Sequence, residues 1–274
     1  VTSRTEGAGF PWGPALLFCP ADRPERFPKA LERADAVILD LEDAVDPARR
    51  PLAREALVAS DLDPGRVIVR VNPASSTEHE VDLSALAATP YRTVMLPKAE
   101  RLADLAELRA YDVIALCETA AGVLAASELA QAPGVMALMW GAEDLIASLG
   151  GTSSRRADGG YREVARYARS AVLIAAGAAG IAAIDTVHLD IADREGLAAE
   201  AEDAAAVGFA ATACIHPGQV ETIRAAYRPD SSEVEAARAL LAAAEEAGGG
   251  VFRYEGRMVD GPVLAHARAV LRRS

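Results

Sequence analysis

The chain predicts an α/β fold: a (β/α)8 TIM barrel carrying a C-terminal extension of helices and a hairpin. Two observations support this. Eight short apolar runs of strand length recur along the chain with helical patterns between them, as expected of right-handed βαβ units on a parallel sheet. In addition, no Gly-x-Gly-x-x-Gly follows the first run, which disfavours an open dinucleotide-binding sheet.

The strands are expected in order at residues 15–20 (ALLFCP), 36–41 (AVILDL), 67–72 (VIVRVN) and 93–98 (TVMLPK). Four more follow at 113–118 (VIALCE), 135–141 (VMALMWG), 184–189 (IDTVHL) and 212–217 (TACIHP). Their apolar character is continuous rather than alternating, which suits strands buried on both faces. Helical patterns fill intervals such as 47–59, 100–110, 122–131 and 161–179. The barrel is expected to span residues 1–228. Residues 229–274 read as a helix (231–247), a Gly-rich break, a hairpin (251–259) and a last helix (262–272). This extension either caps the barrel or reaches a neighbouring subunit.

With 274 residues and 51% hydrophobic content, the chain supports a large core and is not a disordered composition. A net charge of −12 argues against nucleic acid, which rewards a basic face. No apolar run reaches the ~18 residues of a membrane span. The opening VTSRTEGAGFPWG lacks the basic-then-apolar pattern of a secretion signal. Cys19, Cys117 and Cys214 each lie within an apolar run and fit no zinc spacing, so buried thiols in a reduced, cytoplasmic setting are expected.

In such barrels the active site lies at the carboxyl ends of the strands. Those ends present Pro20; Asp40, Glu42 and Asp43; Arg70 and Asn72; Lys98; Glu118; Asp144; Asp185 and His188; and His216. A buried strand that delivers a carboxylate needs a cation or donor to receive it. Glu118 and Asp144 together suit a hard divalent metal such as Mg2+. Otherwise, Glu118 bonds to backbone amides of the next helix. Arg70, flanked by Val69 and Val71, either neutralises the Asp40–Asp43 cluster or clamps a substrate anion. Lysine occurs only at positions 29 and 98 in a chain otherwise rich in arginine. Lys98 is either a Schiff-base nucleophile or a charged ion-pair partner, the latter favoured by Glu100 and the acidic ring. His216 is either a base or a structural hydrogen-bonder. His79 and His266 read as surface residues.

The motifs LFCPADRPERFPKAL, DAVILDLEDAV, VRVNP, MLPKAE, CETAAGVL, WGAEDL, AIDTVHLDIADREGL, CIHPGQVETI and GRMVDGP, in this order, resemble the citrate lyase beta-subunit-like proteins of the HpcH/HpaI aldolase family. The resemblance runs from about residue 14 to the end. It implies a metal-dependent carbon–carbon lyase of 3-hydroxyacyl-CoA thioesters such as citryl-, malyl- or citramalyl-CoA, yielding an acyl-CoA and a 2-oxo acid, with 3-hydroxy-3-methylglutaryl-CoA as a further candidate substrate. By motif, Glu118 and Asp144 would hold Mg2+, and Arg70 would contact the oxo or carboxylate oxygens. Phe18, Arg23, Arg26 and Lys29 would lie along the CoA, with Lys98 and His216 near the substrate. Asp260 resembles an acid supplied from a neighbouring subunit, which implies a homotrimer or a hexamer. Glu42 and Asp43 would order water around the metal.

Some positions depart from the family pattern. Ala211 and Thr212 replace a common Gly-Lys pair, Ala21 a glycine and Cys19 a valine. They bear on the acyl carrier more than on the metal. Two other functions fit the same motifs: a subunit of a citrate lyase complex acting on acyl-carrier-protein thioesters, or a metal-binding barrel without catalysis.

Overall fold

In the computed structural model, which describes residues 10–248 and 250–274, eight parallel strands close into a barrel in chain order. They are β1 Ala15–Pro20, β2 Ala36–Asp40, β3 Val67–Arg70, β4 Thr93–Leu96, β5 Asp112–Cys117, β6 Val135–Trp140, β7 Ala182–Asp185 and β8 Ala211–Cys214. Leu16, Ile38, Ile68, Met95, Ile114, Leu116, Met139 and Ile184 cluster in the buried core. Burying a side chain of this size is worth about 1.5–3 kcal/mol, so this layer is a rigid floor for what stands above it. The opening segment read for a secretion signal lies largely outside the described residues. Among the described residues, no helix is long and apolar enough to cross a membrane.

The helices are α1 Phe27–Arg33, α2 Arg50–Ala59, α3 Glu78–Ala87, α4 Ala120–Leu129, α5 Ala142–Ser148, α6 Glu163–Ala179, α7 Arg194–Val207 and α8 Val220–Tyr227. Local chemistry sets several of their ends. Thr119 Oγ1 accepts from Gly122 N at 3.0 Å to start α4. Asp193 accepts from Gly196 N at 2.8 Å to start α7. Gly180, with φ 68°, closes α6 in the left-handed conformation that glycine adopts without steric penalty.

Most strands stop one or two residues before the sequence suggests. The largest shift is at β7, which covers Ala182–Asp185 rather than 184–189. Ala182 and Ala183 carry little strand propensity, so the sequence signal starts late. The chain then leaves the sheet where Asp185 Oδ1 accepts from Thr186 N at 3.0 Å. Residues 100–110 form a 3-10 helix over Leu102–Leu108 instead of an α-helix. There the Asp104 carboxylate accepts from the amides of Glu100 and Arg101 and tightens the turn.

His79 corrects the surface reading. It is 2% exposed, because α3 folds under the loop after β3 and brings His79 Nδ1 to 2.7 Å from the Asn72 carbonyl oxygen. Cys19, Cys117 and Cys214 are buried and free. Burial pushes the Cys19 thiol up to about 11 and Cys117 up to about 12, so both are inert at neutral pH.

The chain forms two compact units, Val1–Ile223 and Arg224–Ser274. The second contains the latter half of α8, then α9 Ser231–Glu246, β9 Phe252–Tyr254, β10 Arg257–Val259 and α10 Gly261–Arg273. Asp230 and Glu233 cap α9 reciprocally. The hairpin turns at Glu255 and Gly256, both at positive φ, as a tight two-residue turn requires.

Candidate functional site

The polar residues predicted at the strand ends converge above β2–β6. Arg70 donates to Asp40 through Nε at 2.7 Å and Nη2 at 2.6 Å, and its Nη1 lies 3.0 Å from Glu42 Oε2. The Phe18 ring covers the guanidinium at 4.8 Å. Asp40 also accepts from the amides of Glu42 and Ala44. The neutralising role expected for Arg70 is therefore realised, and the guanidinium also lines the cavity described below.

Lys98 holds a left-handed backbone at φ 50°, which costs a residue other than glycine about 1–3 kcal/mol. This turn has two consequences. The Lys98 amide donates to Glu118 Oε1 at 3.1 Å. The ammonium lies 2.5 Å from Glu42, 3.4 Å from Asp43, 3.4 Å from Asp144 and 3.9 Å from Glu118. Burial opposes the charge on Lys98. The hydrogen bond it donates to Glu42 and the fields of Glu42, Glu118 and Asp144 outweigh it and raise the pKa. A permanently charged ammonium is a poor Schiff-base nucleophile. Glu100, expected beside Lys98, instead accepts from Thr119 Oγ1 at 2.8 Å.

Glu118 follows β5 and is 3% exposed. Burial and the neighbouring Asp144 push its carboxyl up to about 8. Burial also raises the Glu42 pKa, against the pull of Arg70 and Lys98, and Glu42 Oε2 is buried without a hydrogen-bond partner. Asp144 stands in the first turn of α5 and is partly exposed. Gly141 makes room between them: a Cβ there would lie 2.7 Å from Glu118 Oε2. Glu118, Gly141 and Asp144 border a cavity of about 230 Å3. Asp43, Arg70, Glu118 and Asp144 form its polar side, and Phe18, Leu116, Met139, Val187 and Ile215 its apolar side.

This donor set suits a hard divalent cation. Burial and a neighbouring carboxylate hold Glu118 toward its neutral form against the pull of Lys98 and Arg70, so a further cation would stabilise its ionised form. Among the described residues, no group of three or more His, Cys, Asp or Glu gathers as a complete cage. Two carboxylates are what Mg2+ takes when water and substrate oxygens complete its shell.

Other predicted residues lie elsewhere. Arg23, Arg26 and Lys29 are exposed, Arg23 just before the 3-10 turn Pro24–Arg26, Arg26 at its end and Lys29 on α1. His216 is exposed, and its Nδ1 accepts from Gly218 N at 3.0 Å, which matches the structural role. Asp260 belongs to the second unit and caps α10 at 3.4 Å from Val263 N. Asp185 is bound by Trp140 Nε1 at 2.5 Å and Arg169 Nη2 at 2.8 Å, and His188 Nδ1 lies 2.8 Å from Glu200. Sequence reasoning passed over Gly141 and Glu143. Glu143 lines the cavity and accepts from Ser154 Oγ at 2.6 Å. The signal for both lay in WGAED, where a glycine precedes paired acids.

Fold and site together define a (β/α)8 barrel with an acidic, cation-seeking centre at the carboxyl ends of its strands. Residues 15–217 match the HpcH/HpaI aldolase/citrate lyase family, and the chain belongs to that family. It is 58% identical over 262 residues to a citrate lyase subunit beta-like protein of Mycobacterium tuberculosis, covering 96% of each chain. It is 35% identical over 270 residues to a (3S)-malyl-CoA thioesterase of Cereibacter sphaeroides, covering 94% of this chain and 93% of the relative. The crystal structure of CitE from Mycobacterium tuberculosis, in complex with magnesium, acetoacetate and coenzyme A, superposes with a TM-score of 0.91 at 58% identity, covering 96% of this chain and 98% of that one.

Proposed function

We propose that the protein is a Mg2+-dependent lyase that cleaves 3-hydroxyacyl-CoA thioesters to an acyl-CoA and a 2-oxo acid. The observation that carries this reading is the buried Glu118 beside Asp144, its pKa raised by burial and by that neighbour, at the edge of a cavity that also holds Arg70. Structures of the Mycobacterium tuberculosis relative with magnesium and coenzyme A, and with magnesium and the 2-oxo acid pyruvate, support it.

Glu118 and Asp144 would hold the Mg2+, whose Lewis acidity would act on the substrate hydroxyl and its neighbouring carboxylate. Asp43, an exposed carboxylate of the cavity, receives the hydroxyl proton. The hydroxyl carbon becomes the carbonyl of the 2-oxo acid as the carbon–carbon bond breaks. The electron pair passes to the thioester, whose enolate Arg70 stabilises. Arg70 is fixed for this task by Asp40 and Glu42. Asp260, contributed by a neighbouring subunit of a homotrimer, returns a proton to the enolate carbon. Phe18, Arg23, Arg26 and Lys29 bind the CoA, the three cations through its phosphates. The apolar wall of Leu116, Met139 and Val187 seats the acyl chain.

An acetyl-CoA release assay over malyl-, citramalyl-, citryl- and 3-hydroxy-3-methylglutaryl-CoA tests the reading. The expected result is release with Mg2+ that EDTA abolishes. Absence of release across the panel, from protein that still binds Mg2+, would overturn it.

A further inference from the structure

We propose that Lys98 is an internal competitor for the divalent cation, one that couples metal loading to the arrival of an anionic ligand. This rests on the reading of Glu118 and Asp144 as the metal ligands. It concerns what the ammonium between them does.

The position of the ammonium makes the case. Lys98 Nζ lies within 4 Å of both candidate ligands and of Glu42 and Asp43. It is the only cation among the described residues shown within 4 Å of Glu118 or Asp144. A divalent ion shared by Glu118 and Asp144 would compete with this ammonium for the same carboxylate charge. The two cations would repel each other across a few ångströms of partly excluded solvent.

The backbone points the same way. Position 98 is left-handed, a conformation glycine takes freely. The amide that fixes Glu118 is common to every residue except proline. The side chain is thus not needed for the turn or for the amide contact. What it contributes there is a compact positive charge, in a chain that has only two lysines. A guanidinium would be a poor substitute, because its planar fork holds carboxylates in pairs and cannot withdraw as a point charge can.

In the absence of metal, the ammonium offsets repulsion between Glu118, Asp144 and Glu42. When metal takes Glu118 and Asp144, the ammonium retains Glu42, its shortest contact, and Asp43. A carboxylate arriving at the metal is attracted by the ammonium as well, so the anion relieves the repulsion between the two cations. Metal and anion therefore bind more tightly together than either does alone.

The test is Mn2+ binding to the full chain, read by electron paramagnetic resonance, without anion and with saturating pyruvate. Lys98→Gln removes the charge and keeps a side chain. Lys98→Gly removes the charge, keeps the amide and fits the backbone, so a folding defect in the first variant leaves the second to decide. Both are expected to bind Mn2+ about tenfold more tightly than the parent when no anion is present. The gain in affinity conferred by pyruvate should shrink in both. A Lys98 with a purely structural role predicts the opposite sign, because its loss would loosen the carboxylates and weaken binding. Unchanged or weaker binding in both variants therefore overturns the proposal. Glu118→Gln separates the two levels. If it abolishes Mn2+ binding while the Lys98 variants gain nothing, only the role of Lys98 falls. If it leaves binding intact, the metal-ligand reading falls and takes the proposal with it.

Discussion

Asp185 and Glu118 stand at the carboxyl ends of strands in one barrel, and both are almost fully buried, yet they are furnished in opposite ways. Asp185 receives Trp140 Nε1, Arg169 Nε and Nη2 and its neighbouring Thr186 amide, all within 3.0 Å. Glu118 accepts the Lys98 amide at 3.1 Å, faces Asp144, and has its nearest ammonium 3.9 Å away. Burial raises the pKa of both. At Asp185 four donors oppose that penalty, and the group acts as a joint tying β6, β7 and α6 together. At Glu118 the penalty is left standing, beside a cavity. Equal burial therefore says little about role. The supply of donors separates the structural carboxylate from the one that waits for a cation.

The largest effect expected from this contrast is at Glu118. Glu118→Gln should lower Mg2+-dependent acyl-CoA release by about 1000-fold, near 4 kcal/mol of barrier, with the melting temperature held or raised. A variant that melts early and keeps its activity would reverse the assignment.

Asp185→Asn should do the opposite. Losing the charge that Arg169 Nε and Nη2 meet, and leaving the guanidinium only Asp203, costs about 2 kcal/mol, visible as a lower denaturation midpoint. The turnover of the fraction that remains folded should be nearly unchanged.

The pH dependence of stability sharpens the comparison. Without metal, native Glu118 titrates near 8, while an unfolded glutamate titrates near 4.3. Between these values the native state binds more protons, so stability falls as pH rises. Denaturant titration in EDTA should show a loss of about 2 kcal/mol from pH 5 to pH 7. Mg2+, by favouring the ionised carboxylate, should flatten the curve. The same slope with and without Mg2+ would mean that the ion binds elsewhere.

Gly141→Ala is the mildest change. Its Cβ would crowd Glu118 Oε2 and Cβ, an overpacking expected to cost about 1 kcal/mol of stability. Metal affinity should fall with it, whereas an alanine placed at the open Gly177 should leave metal affinity alone.

Much of this molecule was legible before it folded. The eight strands were readable because strands buried on both faces must be continuously apolar. The pairing of Glu118 with Asp144 was readable because each stands at or just past the carboxyl end of such a run. His79 was not: its exposure depends on α3 packing under the loop after β3, and a helix pattern does not reveal what covers it. β7 was misplaced because alanine carries little strand signal, and its position was settled by pairing with β6 and β8.

The sequence by itself determined the order of the elements, the side of the barrel on which the charges gather and the family. All three follow from patterns local to the chain: apolar periodicity, residues next to strand ends, and motifs in order. Tertiary structure alone decided which carboxylates are answered and which are not. Arg70 meets Asp40 across 30 positions, Trp140 meets Asp185 across 45 and Lys98 meets Glu42 across 56. Electrostatic satisfaction depends on distance in space, and closing the barrel is what turns distant positions into neighbours.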